Sequence, residues 1–319
     1  MNNQTVLVTG GTGFVGIHTI LQLLQQGYTV KTTLRTLSKT QHIIDALKEA
    51  GLSDLSKLSF FEADLTSEQG WNEAVEGCDY VLHVASPFPL AEPEDENDLI
   101  IPARDGSLRV LKAAKNAGVK RVVLTSSFAA IGYGTDRKGH VFDENDWTDK
   151  NAAIPAYIKS KTIAEEAAWQ FVKDQGEGME LAVINPVGIF GPIIGGIYPA
   201  SYEGVIQAIL DGSIKENPPF TFGVVDVRDV ADIHIKAMLL AQAAGQRFLA
   251  TSEGAVSFYD VAELIKKQRP ESASLIADLQ PTAAEAYTQM SNKKAVETLN
   301  WHPRSREEAI LASVDTRPR

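Results

Sequence analysis

Short apolar runs and stretches of helical spacing alternate along the first 185 residues. Val6-Leu7-Val8-Thr9 is apolar and followed by glycines, which predicts a buried parallel strand. Phe14, Ile17, Leu21 and Leu24 then recur at helical spacing, with Gly27 as the stop just past that helix. The stretch from Tyr28 to Leu34 reads as a second strand, and a helix follows through Ile43, Ile44 and Leu47 to about Gly51. Leu58 to Phe61, Tyr80 to Val84, Arg121 to Thr125 and Leu181 to Asn185 continue the strand series. Helices are expected over 98–117 and from about Pro155 to Lys173. This alternation predicts an α/β fold, a doubly wound parallel sheet with right-handed crossovers.

The pattern loosens after Pro186, where Gly195-Gly196 and Pro218-Pro219 mark loops. Helices near 201–212, 229–243, 258–268 and 305–313 are separated by short strands, which predicts a smaller, interleaved C-terminal α+β lobe. The expected division gives 1–185, with about 221–245, to the main sheet domain. It leaves about 186–220 and 246–319 to the lobe.

Composition narrows the class. The 319 residues are 44% hydrophobic and 22% charged, with a net charge of -11. No segment is rich in Lys and Arg, which argues against nucleic acid and against an anionic membrane surface as partners. Cys78 is the one cysteine, so no disulfide framework and no zinc cluster are expected. No apolar run reaches membrane length, and the opening Met-Asn-Asn-Gln-Thr-Val lacks the positive charge of a signal peptide. A cytoplasmic location is expected, as a monomer or a homodimer.

Three clusters carry candidate chemistry. In Thr9-Gly10-Gly11-Thr12-Gly13-Phe14-Val15-Gly16, the glycines at 10, 13 and 16 follow a predicted strand and open a predicted helix. Gly allows the tight turn and close backbone approach to a pyrophosphate, and the helix start offers free N–H groups. No acid stands between Gly16 and Asp45 to bind a ribose 2′-hydroxyl. Arg35 ends the second strand instead, where a planar guanidinium can pair with a 2′-phosphate, and Lys39 can assist. A solvated surface charge is the other reading of Arg35. Asp64 and its neighbour Leu65 end the third strand. There Asp64 can accept from an adenine amino group or cap the helix starting at Thr66.

Tyr157 and Lys161 are four apart, one helical turn on one face. A phenol near pKa 10 is a poor proton shuttle at neutral pH, and a neighbouring ammonium is expected to lower that value. Ser126-Ser127 ends the fifth strand, where open α/β sheets place ligands, and a hydroxyl there can orient a carbonyl oxygen. The serines can equally well cap the sheet edge. His83 lies in an apolar strand and reads as a core histidine. Phe88, Phe128, Tyr133, Ile189, Tyr202 and Phe220 are candidates for a substrate pocket.

The conjunction of Thr9–Gly16, Ser126-Ser127 and Tyr157-x-x-x-Lys161 resembles the extended short-chain dehydrogenases. The likeness is to the branch of dihydroflavonol, cinnamoyl-CoA and aldehyde reductases. His83-Val84-Ala85-Ser86-Pro87, Lys161-Thr162-Ile163-Ala164-Glu165 and Asn185-Pro186-Val187-Gly188 are similar to that branch as well. The resemblance implies a Rossmann-type dinucleotide-binding domain with a substrate-binding lobe, and NADP(H)-dependent reduction of a small-molecule aldehyde or ketone.

It also implies roles for single residues. Ser127 would orient the carbonyl, Tyr157 would donate the proton, and Lys161 would bind ribose and tune Tyr157. Arg35 falls in register with the branch's 2′-phosphate arginine. Val84, Ala85 and Ser86 would line the cofactor channel, and Ile184, Pro186 and Val187 would face the nicotinamide. Ser201 resembles a serine placed near the cofactor phosphates. Gly132 departs from the asparagine that plant flavonoid reductases carry there. Two other readings of the scaffold are a sugar-nucleotide epimerase or dehydratase, and a non-catalytic NADP-binding protein.

Overall fold

A computed structural model describes residues 3–87, 93–135 and 139–316. In chain order the first half runs β1 (Thr5–Thr9), α1 (Phe14–Gln25), β2 (Thr29–Leu34), α2 (Thr40–Glu49), β3 (Leu58–Glu62), α3 (Trp71–Val75), β4 (Tyr80–His83), α4 (Asn97–Asn116) and β5 (Arg121–Thr125). The second half begins with β6 (Val141–Phe142), α5 (Ala156–Gln175), β7 (Glu180–Pro186), β8 (Gly188–Phe190), a π-helical turn Tyr202–Gln207 that runs into α6 (Ala208–Leu210), and β9 (Phe222–Asp226). It ends with α7 (Val227–Leu239), β10 (Arg247–Ala250), β11 (Ala255–Val256), α8 (Phe258–Gln268), β12 (Gln289–Met290), α9 (Lys293–Leu299) and α10 (Arg306–Asp315).

Seven parallel strands form the main sheet in the order β10-β7-β5-β4-β1-β2-β3. The chain winds outward from β1 to β3, then returns and builds the other half from β4. The order therefore reverses between β1 and β4, and open sheets of this kind take ligands above the strand ends at that point. Each strand feeds two cores because successive side chains face opposite sides. Val6 and Val8 join α1 and α7 in one core, while Leu7 turns to the other with α3 and α4. Ala182 and Ile184 against Leu181 and Val183 repeat the alternation on β7.

The lobe has its own sheet, β11-β9-β8, packed against α8 and α10. Two boundaries need correction. The expected division puts 246–319 in the lobe, yet β10 is the edge strand of the main sheet, beside β7. The segment 221–245 was assigned to the main domain, yet β9 lies between β8 and β11 in the lobe's sheet. Residues of the tail also return to the main core. Ala295, Leu299 and Trp301 pack there, and the Trp301 indole N–H donates to Asp229 O at 3.0 Å. The apolar pattern of β10 is four residues long, too short to announce which sheet it joins.

Arg121 shows how the sheet holds its helices. It is almost wholly buried, pairs with Glu180 at 2.6 Å and donates to the carbonyls of Ala237, Met238 and Leu240. Ala237 and Met238 lie in the last turn of α7, whose carbonyls have no partner within the helix, and a cation there also suits the helix dipole.

Candidate active site

At the β1/β4 reversal, Gly10 adopts φ +74° and turns the chain sharply out of β1. Its N–H meets Thr33 Oγ1 at 3.2 Å, and the Gly13 N–H returns to Gly10 O at 2.9 Å. The turn is closed too tightly for side chains. A Cβ on Gly16 would stand 2.3 Å from Gly10 O, and one on Gly10 would meet Ala85 Cα at 3.0 Å. Thr12 and Gly13 lie on the open side, while Phe14 and Val15 are buried as α1 begins. Gly13 supplies no side-chain cap to α1, so its first N–H groups face the cleft end. That cradle fits a dinucleotide pyrophosphate.

Arg35 and Lys39 follow β2 on either side of a short turn, and both are exposed. Neither side chain makes an ion pair or hydrogen bond among the described residues. Asp64 is committed as a cap: Oδ1 accepts from Thr66 N–H and from Thr66 Oγ1, each at 2.7 Å. Those two bonds, with a smaller contribution from the Arg35 charge, hold its carboxyl below the ordinary value. Leu65 is packed under Gly106 of α4, and Arg109 holds its carbonyl at 2.6 Å.

The exit of β4 is tied to that of β1. Thr9 Oγ1 lies 2.8 Å from His83 Nδ1 and accepts the Ala85 N–H at 3.0 Å. His83 is buried, and burial pushes its pKa down to about 3, so the ring stays neutral. Its Nε2 has no hydrogen-bond partner among the described residues. Val84, Ala85 and Ser86 continue, partly buried, along the cleft floor.

The reacting end draws on four elements. Ser127 follows β5, and its Oγ accepts from Ala129 N–H at 3.1 Å, starting a short helical turn. The Ser127 hydroxyl also lies close enough to the Tyr157 phenol on α5 to lower its pKa. Lys161 Nζ lies 5.9 Å from the centre of the Tyr157 ring. The three side chains named from the sequence therefore meet at one place.

The groups around Tyr157 act on its phenol in opposite directions. Burial pushes it up to about 12, the Ser127 hydroxyl offsets part of this, and the neighbouring Tyr133 adds to the rise. Burial also pulls Lys161 down to about 8, against the opposing pull of Glu165. Desolvation outweighs any help that the ammonium gives the phenolate. In this arrangement Tyr157 stays protonated at neutral pH, the state a proton donor needs.

The pocket candidates divide. Phe128 packs edge-on to both Tyr133 and Phe142, and Met290 and Val187 lie against the same cluster. Ile189 is partly buried near the same end of β8. Tyr202 is not a wall of this pocket: it is 4% exposed and belongs to the core of the lobe. Phe220 stacks with Phe222 and Phe258 in that lobe rather than with Phe128. Phe88 lies outside the described residues. Ile184 spends its side chain in the core and its carbonyl on Ser126 N–H, which leaves Pro186 and Val187 at the strand end. Ser201 donates to Ile189 O and pins β8, so its hydroxyl is committed within the fold.

Sequence reading missed Phe142 and Met290. They meet because two-residue strands, β6 and β12, pair in parallel across the long intervening chain. It also missed Asn185 and Arg247, which surround Glu165 beneath Ser127. Glu165 carried the one local signal, its place one turn after Lys161.

A family model described as "NAD dependent epimerase/dehydratase family" matches residues 6–249. Over 322 residues the chain is 32% identical to a putative NADPH-dependent methylglyoxal reductase of Candida albicans, covering 94% of each. It is 35% identical to a cinnamoyl-CoA reductase of Medicago truncatula over 84% of this chain and 81% of that one. Among solved structures, the yeast methylglyoxal/isovaleraldehyde reductase complexed with NADPH superposes with a TM-score of 0.86 at 27% identity, covering 98% of both chains. No helix among the described residues is long and apolar enough to cross a membrane.

Proposed function

Because the chain belongs to the NAD dependent epimerase/dehydratase family, we propose that it reduces an aldehyde or ketone to the alcohol with Tyr157 as proton donor. It is an NADPH-dependent reductase of the extended short-chain dehydrogenase type. The observation that carries the finer reading is the meeting of Ser127, Tyr157 and Lys161 beside the glycine cradle.

Bound NADPH supplies the hydride, from C4 of its nicotinamide to the carbonyl carbon. This chain does the rest. Gly10, Gly13 and Gly16 with the start of α1 hold the pyrophosphate, and Arg35, assisted by Lys39, pairs with the 2′-phosphate. Lys161 donates to the ribose hydroxyls. Ser127 donates to the carbonyl oxygen and fixes its distance from Tyr157. The phenol gives that oxygen its proton as the C–O π pair moves onto oxygen, and solvent later restores the phenol. Phe128, Tyr133, Phe142 and Met290 give the carbonyl a largely apolar wall, which suits small aliphatic or aromatic substrates.

An unpaired Arg35 at the end of β2, with no acid there, speaks against the tightly held NAD of sugar-nucleotide epimerases. Retention of Tyr157 with Lys161 speaks against a silent binding protein. The cytoplasmic location goes with this reading, since the lone thiol, Cys78, is buried and pushed up to about 11.

The test is a cofactor-consumption screen with NADPH and NADH against aliphatic aldehydes, aryl ketones, α-ketoesters and dicarbonyls, run on wild type and Tyr157→Phe. Wild type is expected to oxidise NADPH with at least one class. The variant is expected to lose roughly 10²- to 10⁴-fold in kcat while its NADPH affinity stays within about twofold. Activity retained in Tyr157→Phe removes the proposed donor.

A further inference from the structure

Beneath Ser127 lies a charged cluster that the reaction above does not use. Glu165 is 1% exposed, one turn beyond Lys161 on α5. Its Oε2 accepts from Ser126 Oγ at 2.6 Å, Asn185 Nδ2 at 2.7 Å and Arg247 Nη2 at 3.2 Å. Its Oε1 stands 2.8 Å from Arg247 Nε and 3.2 Å from Trp169 Nε1. Asn185 Nδ2 also donates to the carbonyl of Ser127 at 3.1 Å. Arg247 lies over the Trp147 ring at 3.8 Å and donates to Asp146 O at 2.8 Å.

Two features set this cluster apart from scaffolding. A buried ion pair adds little net stability, and apolar side chains of similar volume would join α5 to β10 as well. Asn185 also leaves its Oδ1 buried without a partner among the described residues. Turning the amide over would point that oxygen at the Glu165 carboxylate. The orphan is therefore accepted to keep the amide donors on Glu165 and on the Ser127 carbonyl, and a retained unsatisfied group calls for a reason.

We infer that Glu165, Asn185 and Arg247 are positioning residues for the reduction: they lock the Ser126-Ser127 backbone and so hold the Ser127 hydroxyl in place beside the Tyr157 phenol. This inference rests on the reductase reading above. The charged and titratable groups around Lys161 are His83 from β4 and Tyr157 and Glu165 from its own helix, with Arg247 from β10 behind Glu165. His83 is held neutral, and Glu165 is the charge that opposes the effect of burial on Lys161.

Glu165→Gln keeps an acceptor for Ser126 and removes the charge. At saturating NADPH, kcat is expected to fall roughly 10- to 100-fold, the size of a small misplacement of a reacting group. NADPH affinity, read by fluorescence titration, and carbonyl KM are expected to move less than about threefold, as for a loss confined to the transition state. The alkaline limb of the kcat profile moves to lower pH, because Lys161 loses the carboxylate that opposes its desolvation.

Because that variant leaves a buried cation, the double variant Glu165→Met with Arg247→Met serves as the second arm. It is expected to fold and to retain the kcat loss, melting somewhat below the wild type because Ser126, Asn185 and Trp169 lose their acceptor. A double variant with wild-type kcat, or Glu165→Gln with wild-type kcat and pH profile, overturns the positioning role and leaves the reductase reading standing. Absence of any carbonyl turnover in wild type overturns both.

Discussion

The two ends of the cofactor cleft are built by opposite means. At the phosphate end the chain works by leaving side chains out: Gly10 and Gly16 let one turn close on itself, and the backbone itself would meet any added Cβ. At the reacting end it works by stacking side chains: Ser126 and Ser127 rest on Glu165 and Asn185, with Arg247 holding Glu165 in turn. A backbone site is rigid by sterics and fails all at once when crowded. A side-chain site depends on partners in several elements, so it fails by degrees as bonds are removed one at a time. The difference teaches where each end is vulnerable and what each loss should look like in an assay.

The sharpest way to break the comparison is at Gly16. Gly16→Ala places a methyl 2.3 Å from Gly10 O, a backbone atom that cannot swing away. The turn must open, taking its N–H groups from the pyrophosphate. Loss of two hydrogen bonds to a charged group, each about 1.5–3 kcal/mol, predicts a drop in NADPH affinity on the order of 10²- to 10⁴-fold. Fluorescence titration measures it. Wild-type affinity in this variant would mean that the phosphates bind elsewhere.

Arg35 sharpens the same end from the side-chain direction. Arg35→Ala is expected to raise the KM for NADPH about tenfold, the low end for a charge-assisted bond because the residue is exposed. The KM for NADH should hardly change, and the NADPH effect should shrink as salt is added. Steady-state kinetics with both cofactors decide the matter, and equal effects on the two would take Arg35 away from the 2′-phosphate.

The contrast also explains what could be read in the sequence. The phosphate loop is eight contiguous residues whose spacing follows from local sterics, so Thr9–Gly16 stands out unaided. Tyr157 and Lys161 share a helical face and are nearly as plain. The main-sheet strands β1 to β5 and β7 can be read from the sequence to within a residue or two of their ends. Arg247 gives no such sign: it opens a four-residue strand whose place beside β7 depends on the whole sheet. Phe142 and Met290 depend on one short pairing between distant segments. Tyr202 reads from sequence like a pocket aromatic, yet the lobe's core takes it, because an aromatic on an apolar face serves either purpose.

The smallest effect lies between the two ends, at Asp64. Its carboxylate caps the segment at Thr66 through two hydrogen bonds and carries no reacting group. Its folded pKa is lowered, so the stability it contributes is present above the ordinary carboxyl value of 3.8 and is lost as pH falls through the folded value. Asp64→Ala should cost about 1 kcal/mol near pH 7, the usual worth of such a cap. The gap in melting temperature from wild type should close as the pH is taken down toward and below the unfolded carboxyl range. Asp64→Asn retains an acceptor, so it should lose less at neutral pH and show a flatter approach to the acid limit. A gap that stays constant with pH would mean that the ionised carboxylate is not what holds this turn. A gap with a large loss of NADPH affinity would move Asp64 from the scaffold between the two ends into the adenine site.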